Sequence, residues 1–130
     1  MKGHLLIIGQ NPGVMRTTDP RLVPMHKALG RWCDHLGVRH YSFVNVQHSQ
    51  GEWCPLQDDL DLLQDCISLH DGPILALGGK VWGILKDIYG TRRHGALRGP
   101  HPSGRNRNFN DARFEMYFLG NLYDQLVERT

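Results

Sequence analysis

Apolar residues along the chain fall into short continuous runs that alternate with segments of helical spacing. The runs predict three strands, over residues 4–8, 41–46 and 73–78, of which the first is expected to be buried. The segments with apolar residues on one helical face predict four helices, over residues 25–36, 58–69, 80–89 and 111–127. Gly37 follows the first of these helices and is a suitable residue to end it. The stretch 95–98 is too short to assign.

Strands that alternate with helices indicate a parallel sheet that is covered on both faces. We therefore predict an α/β protein, a three-layer sandwich with a short, mostly parallel central sheet flanked by helices. A chain of 130 residues has room for one hydrophobic core, which predicts a single domain over residues 1–130. Ligands of such sheets bind at the carboxyl ends of the strands, so we expect the site there, among four segments: 9–13, 45–48, 78–79 and 101–107.

Composition narrows the classes of protein. No stretch approaches the roughly 20 apolar residues that span a bilayer, and the first residues lack a signal-peptide pattern, which predicts a cytoplasmic protein without a membrane partner. The three cysteines, Cys33, Cys54 and Cys66, are odd in number and widely spaced, which is typical of reduced thiols. The histidines show no metal-ligand spacing, and we predict no metal site.

Charge is distributed unevenly although the net charge is only +2. Acidic residues concentrate in the middle of the chain, and the later part is rich in arginine: Arg92, Arg93, Arg98, Arg105, Arg107 and Arg113. Such a stripe could neutralise the phosphates of a nucleic acid, or it could be an ordinary solvated face. Charge alone leaves both interpretations open.

Two loops carry candidate chemistry. The first, Gly9-Gln10-Asn11-Pro12-Gly13, directly follows a buried strand, and Pro12 favours an extended Asn11 whose amide can orient a water molecule. The second, His101-Pro102-Ser103-Gly104-Arg105-Asn106-Arg107, offers a histidine that can stabilise a leaving anion and donors that can hold phosphate. Taken separately, the first is better explained as a plain strand-to-helix turn, and the second is also consistent with a loop rich in solvated charge.

Taken in order, the segments resemble the motifs of the uracil-DNA glycosylase superfamily. The first and second loops resemble its first and second motifs, and Phe43-Val44-Asn45-Val46 is similar to the strand whose asparagine recognises the pyrimidine edge. Ile74-Leu75-Ala76-Leu77-Gly78-Gly79-Lys80 is similar to the superfamily's third strand and the turn that follows it. These matches span nearly the whole chain, and an asparagine at position 11 is most similar to the mismatch-specific uracil/thymine branch.

The resemblance implies roles for individual residues. Asn11 would position the attacking water, and His101 would hydrogen-bond the O2 atom of the leaving pyrimidine. Asn45 would pair with the base, and the base-binding residues would further include Gln10, Gly13 and Leu22. The DNA phosphates and groove would be contacted by Ser103, Gly104, Arg105 and Arg107.

Three departures from the superfamily pattern bear on the substrate. Gly13 stands where strict uracil enzymes carry a tyrosine that excludes a 5-methyl group, so the pocket would admit 5-substituted pyrimidines. The usual stacking aromatic after the first motif has no clear counterpart, and Leu22 or Met25 is nearest. Arg105 occupies the place of the apolar wedge that fills the gap left by a flipped base.

Cys66 lies near one iron–sulfur ligand position of a thermostable branch, but the amino-terminal cysteine pair is missing, so no cluster is expected.

The leading hypothesis is therefore an enzyme: a monofunctional, cofactor-free DNA glycosylase that acts as a monomer on flipped uracil or a 5-substituted pyrimidine. Its compact size would suit a phage protein. Two alternatives remain, a relative that binds nucleic acid or a modified base without cleavage, and a base-modifying transferase with the same pocket.

Overall fold

The computed structural model describes residues 4–11, 24–90, 96–99 and 112–129. Within these residues four strands alternate with four helices, in the order β1 (His4–Gly9), α1 (Pro24–Leu36), β2 (His40–Asn45), α2 (Gln57–Leu69), β3 (Ile74–Leu77), α3 (Gly79–Tyr89), β4 (Leu97–Gly99) and α4 (Ala112–Arg129). All seven predicted elements are confirmed to within two residues at each end. The stretch 95–98, left unassigned in the sequence, overlaps β4.

The four described strands form one sheet in the order β2-β1-β3-β4, and every neighbouring pair is parallel. This confirms the predicted α/β class with a parallel sheet. In the register, Gly9 of β1 lies beside Asn45 of β2, and Leu77 of β3 lies beside Gly99 of β4. The carboxyl ends of all four strands therefore meet along one edge, which we call the carboxyl edge.

Helices cover both faces of the sheet. On one face, α1 and α4 pack on alternate strand residues to form a core that includes Leu5, Ile7, Leu29, Trp32, Leu75, Leu97 and Leu122. On the other face, α2 and α3 pack on the intervening residues in a core that includes Leu6, Ile8, Leu63, Ala76, Val81 and Leu85. The nearly continuous apolar runs of β1 and β3 follow from this, because a strand buried on both faces needs apolar side chains in both directions.

The direction of the crossovers explains which helix covers which face. The chain moves from β1 to β2 through α1 in one direction along the sheet, and from β2 to β3 and β3 to β4 through α2 and α3 in the opposite direction. Crossovers of a single hand must then place α1 on one face and α2 with α3 on the other, as observed. The strand order thus switches between β1 and β3, and that switch lies where α/β proteins bind ligands.

Local backbone chemistry sets the helix ends. Gly37 has a φ of 73°, its N–H donates to Asp34 O, and the N–H of Val38 donates to Cys33 O, which together form a Schellman motif at the end of α1. This confirms Gly37 as the residue that ends the first helix. Gly78, with a φ of 88°, precedes α3 and lets the chain turn directly from β3 into the helix. Among the helices in the described residues, none is long and apolar enough to cross a membrane.

Candidate functional site

The candidate site lies at the carboxyl edge, beside the switch between β1 and β3. The edge consists of the residues with which each strand ends or which directly follow it: 9–11, 45–47, 78–80 and 99. Two of the sequence-predicted segments, 45–48 and 78–79, lie there, together with the described part of the 9–13 turn. The sequence therefore predicted the location of these segments correctly.

Pairing between β1 and β2 continues past the ends of the strands. The N–H of Val46 donates to Gly9 O and the N–H of Gln47 donates to Gln10 O, both at 2.9 Å. These bonds hold the backbone at Gln10 against the segment that follows Asn45. Asn11, the next residue, consequently leaves β1 beside the loop that begins at Gln47.

Gly9 allows two side chains of β2 to lie over the end of β1. A Cβ placed on Gly9 would lie 2.5 Å from Cζ of Phe43 and 2.8 Å from Oδ1 of Asn45, both well inside ordinary contact. Phe43 and Asn45 are two residues apart on a strand and so point to the same face. The glycine thus brings an aromatic ring and a half-buried amide together at the carboxyl edge.

The amide of Asn11 is held by the loop that follows β2. Asn11 Nδ2 donates to the carbonyl oxygen of Gly51 at 2.9 Å. Since only the nitrogen arm of an amide can donate to a carbonyl, this bond also fixes where Oδ1 lies. Asn11 is half-buried, which leaves its amide partly open to solvent at the edge.

Gln47 is a structural centre of this loop that the sequence analysis missed. Its side chain is only 1% exposed, yet it is polar. Its Nε2 donates to Ser49 O at 3.0 Å and to Glu52 O at 2.9 Å, and its Oε1 accepts from the N–H of Cys54. In the sequence, Gln47 stands in a polar stretch and resembles any surface loop residue. The one signal that could have singled it out is that no helix or strand is predicted at this position.

Asp59 ties the loop to the start of α2. Its Oδ2 accepts from the N–H of Leu56 at 2.9 Å, and its Oδ1 accepts from the N–H of His48 at 3.4 Å. Asp59 is the third residue of α2, a position at which a carboxylate commonly bonds back to the helix cap. Its role is therefore structural.

The other half of the edge is basic. Lys80 Nζ lies 6.0 Å from the centre of the half-buried Trp53 ring, and Arg98 Cζ lies 5.9 Å from that of Trp82. Lys80 and Arg98 are both exposed, and a Cβ on Gly79 would lie 3.5 Å from an Arg98 guanidinium nitrogen. One cation therefore belongs to the first turn of α3, and a second lies beside that turn.

The end of β4 is fixed at the same edge. The N–H of Gly78 donates to Gly99 O at 2.8 Å, which joins the last residue of β4 to the turn between β3 and α3. A Cβ on Gly99 would approach Leu75 Cδ1 at 3.2 Å and Phe118 Cζ at 3.3 Å, so the close packing there favours glycine. Gly99 stands two residues before His101 in the sequence.

The predicted site residues divide into two groups. Gln10, Asn11 and Asn45 lie at the ends of the neighbouring strands β1 and β2. The remaining predicted residues lie outside the described residues: Gly13, Leu22, His101, Ser103, Gly104, Arg105 and Arg107. The side chain of Met25 also lies outside the described residues.

The histidines that the structure describes do not gather at the carboxyl edge. His4 lies 6.4 Å from His40 and 5.9 Å from His70 between ring centres, at the opposite end of the sheet. Within the described ranges, no group of three or more His, Cys, Asp or Glu side chains could hold a metal ion. Comparison of the chain with protein-family models, curated proteins and solved structures gives no match.

Proposed function

We propose that the protein is a monofunctional DNA glycosylase that hydrolyses the N-glycosidic bond of a flipped-out uracil or 5-substituted pyrimidine. The observation that carries the proposal is that two asparagines stand at the carboxyl ends of the neighbouring strands β1 and β2: Asn11, with its amide oriented by Gly51, and Asn45, with its amide next to the Phe43 ring. An oriented amide for water and a second amide beside an aromatic surface suit a pocket for a nucleobase. The parallel α/β fold supports the more specific proposal of a uracil-DNA glycosylase-like fold.

Asn45 recognises the base in this proposal. Its Nδ2 donates to the pyrimidine O4 and its Oδ1 accepts from N3–H, so one amide satisfies the edge that distinguishes uracil and thymine from cytosine. Gln10, Gly13 and Leu22 complete the pocket. Phe43 supplies an aromatic surface next to Asn45, which the sequence analysis did not find in the segment after the first motif.

Asn11 orients the water. Its Oδ1 accepts a water O–H, and the water oxygen attacks C1′ of the deoxyribose as the C1′–N1 bond breaks. The bonding electron pair leaves with the base, whose anion is stabilised at O2 by a hydrogen bond from His101. The proton released by the water neutralises that anion, and the products are the free base and an abasic site.

Contacts to DNA complete the proposal. Ser103 and Gly104 hold phosphate, Arg107 adds charge and Arg105 fills the gap in the duplex. The exposed Lys80 and Arg98 lie beside the first turn of α3, where the helix dipole is also positive, and this concentration of charge favours an anionic partner. In this proposal the enzyme is a cytoplasmic monomer that needs no cofactor.

Incubation with end-labelled oligonucleotides tests the proposal. Duplex and single strands containing uracil, G:U, G:T or 5-hydroxymethyluracil are treated with alkali, which cleaves abasic sites. We expect strand breaks that fall by about 100-fold or more in Asn11→Ala and in His101→Ala. The exposed Asn121 on α4 provides the control, because Asn121→Ala removes an amide that has no role in the proposed site.

Two results would overturn the proposal. Tight binding without an abasic product on every substrate would indicate a nucleic-acid-binding protein that does not cleave. Strand breaks that persist unchanged in both Asn11→Ala and His101→Ala would assign the activity to other residues.

A further inference from the structure

We propose that Gln47 and Gly51 are positioning residues that hold the amide of Asn11 with its oxygen facing the reacting water. The catalytic part of this inference rests on the proposed function, whereas the orientation of the Asn11 amide can be tested without it. Neither residue belongs to the motifs that carry the superfamily resemblance. The inference depends on the hydrogen bonds of the loop that joins β2 to α2.

The side chain of Gln47 has a hydrogen-bond partner for each of its polar groups. The side-chain amide has two N–H donors and one carbonyl acceptor, and the donors reach Ser49 O and Glu52 O while the acceptor receives the N–H of Cys54. All three partners are backbone atoms of one loop. Because Gln47 is 1% exposed, water cannot replace these bonds, so this side chain determines the loop's path.

Gln47 also connects the loop to the backbone that carries Asn11. The N–H of Gln47 donates to Gln10 O, the carbonyl directly before Asn11 in the chain. The residue that shapes the loop is therefore fixed to the backbone that carries Asn11. Asp59 holds both ends of the loop as well, through the N–H groups of His48 and Leu56.

Gly51 has a backbone conformation that favours glycine. This residue lies between Ser49 and Glu52, whose carbonyls Gln47 holds, and it has a φ of +103°, a region that residues with a side chain rarely adopt. A Cβ on Gly51 would meet no heavy atom within 4 Å, so space does not require the glycine. Its backbone conformation does, and that conformation directs the carbonyl at Asn11 Nδ2.

The chemical consequence concerns the amide orientation. Rotating the Asn11 amide by half a turn would bring its oxygen against the Gly51 carbonyl oxygen, and two acceptors repel each other. The bond to Gly51 therefore selects the orientation in which Oδ1 is available as an acceptor for water. A neutral amide acts in the proposed reaction only by orientation, so this selection contributes directly to the rate.

The test uses Gly51→Ala, with Gly90→Ala as its matched control. Gly90 also has a positive φ, of +74°, and open space around a Cβ, but it ends α3 at the opposite end of the sheet. Both variants thus force alanine into a strained conformation, and only one does so beside Asn11. A second variant, Gln47→Glu, keeps the acceptor for Cys54 N–H and removes the two donors.

The first readout is independent of activity. In ¹⁵N-labelled protein, the side-chain amide signals of Asn11, assigned by their loss in Asn11→Asp, should show slowed exchange with water for the proton bonded to Gly51. We expect Gly51→Ala and Gln47→Glu to accelerate that exchange about 10-fold or more, and Gly90→Ala to leave it unchanged. Unchanged exchange in Gly51→Ala would overturn the inference.

The second readout is the kinetic pattern with a uracil-containing oligonucleotide. We expect kcat to fall about 10-fold or more in Gly51→Ala while KM stays within about 2-fold, because Asn45 and Phe43 are untouched. A wild-type kcat in Gly51→Ala, or an equal loss in Gly90→Ala, would overturn the positioning role. If no substrate is cleaved, the proposed function fails, and the exchange measurement still decides the orientation of Asn11.

Discussion

The ring of Phe43 occupies the space that a side chain on Gly9 would need, with Cζ only 2.5 Å from where a Cβ would stand. The two residues belong to adjacent parallel strands, and the contact exists because β1 carries a glycine at its last position. The aromatic surface beside Asn45 therefore depends on a residue from a different strand.

Gly9→Ala should destabilise the protein. The methyl group added at the buried Gly9 must displace the half-buried side chains of Phe43 and Asn45, and such overpacking costs about 1–3 kcal/mol in the free energy of unfolding. Urea denaturation followed by circular dichroism measures the change. Gly30→Ala on α1, where a Cβ meets nothing within 4 Å, is the control and should be neutral or slightly stabilising. A Gly9→Ala variant as stable as the Gly30→Ala variant would contradict the packing described for this edge.

Phe43→Leu should weaken base binding more than it weakens catalysis. Leucine retains apolar contact with the core on this face but cannot stack on a base, and the loss of stacking is worth about 1–3 kcal/mol. Steady-state kinetics should show KM raised by about 5-fold or more, with a smaller change in kcat. Tyr123→Leu, an exposed aromatic on α4, is the control. If KM is the same in Phe43→Leu as in the control, the ring does not contact the base.

Gly13→Tyr should narrow the range of substrates. A tyrosine at this position would exclude a substituent at C5 of the pyrimidine. The kcat/KM for 5-hydroxymethyluracil should therefore fall more than the kcat/KM for uracil. The ratio of kcat/KM for the two bases in matched oligonucleotides measures this selectivity. An unchanged ratio would remove Gly13 from the proposed pocket.

Asp59→Ala should lower stability through the loop as well as the helix. It removes the acceptor for the N–H groups of Leu56 and His48, and the loss of a comparable helix-capping bond costs about 0.5–2 kcal/mol. Thermal unfolding gives the difference. Asp58→Ala removes an exposed carboxylate from the same helical turn and is the matched control. Equal losses in the two variants would indicate a general charge effect instead of these two bonds.

Stability should fall as the pH rises from 9 to 11, partly through Cys33. Burial, with a smaller contribution from the nearby charge of Asp34, raises the pKa of this thiol from its ordinary value of 9.0 to about 11. Below pH 9 the thiol is protonated in both the folded and the unfolded state, so its contribution to the free energy of unfolding is fully present. Above pH 9 the unfolded chain loses its proton first, which favours unfolding.

Melting temperatures across this pH range measure the effect. Burial also raises the pKa values of Tyr41 and Tyr89, so the wild-type slope has several sources in the same direction. Cys33→Ala should therefore reduce the slope without abolishing it, whereas Cys54→Ala, at an exposed thiol, should leave it unchanged. A slope in Cys33→Ala equal to that of the wild type would contradict the assignment.

Sequence periodicity predicted most of the fold because the strands and helices bury regular patterns. The side chains of Leu5 to Ile8 point alternately to the two faces of the sheet and are buried on both. Trp32 lies at a helical core position with 1% exposure, as its spacing predicts. The strand Leu97–Gly99 was not assigned because three residues are too few to show a period. Its pairing with β3 is a long-range property that no local pattern contains.

The candidate site was predictable only where a residue follows directly from the end of a strand. Asn11 and Asn45 fall into this class, since the carboxyl ends of parallel strands share one edge. Gln47, Gly51 and Phe43 do not, because their roles depend on the closure of a loop or on a neighbour in another strand. Their chemistry is visible only once the register places Gly9 beside Asn45.

The loop shaped by Gln47 has a consequence for how this surface can change. The side chain of Gln47 bonds the backbone of Ser49, Glu52 and Cys54, and all three of these residues are exposed. Their side chains can therefore be exchanged while the loop keeps its path. One buried glutamine thus separates the shape of the loop from the chemistry that it presents, so that the surface beside Asn11 can diversify without a change in the scaffold.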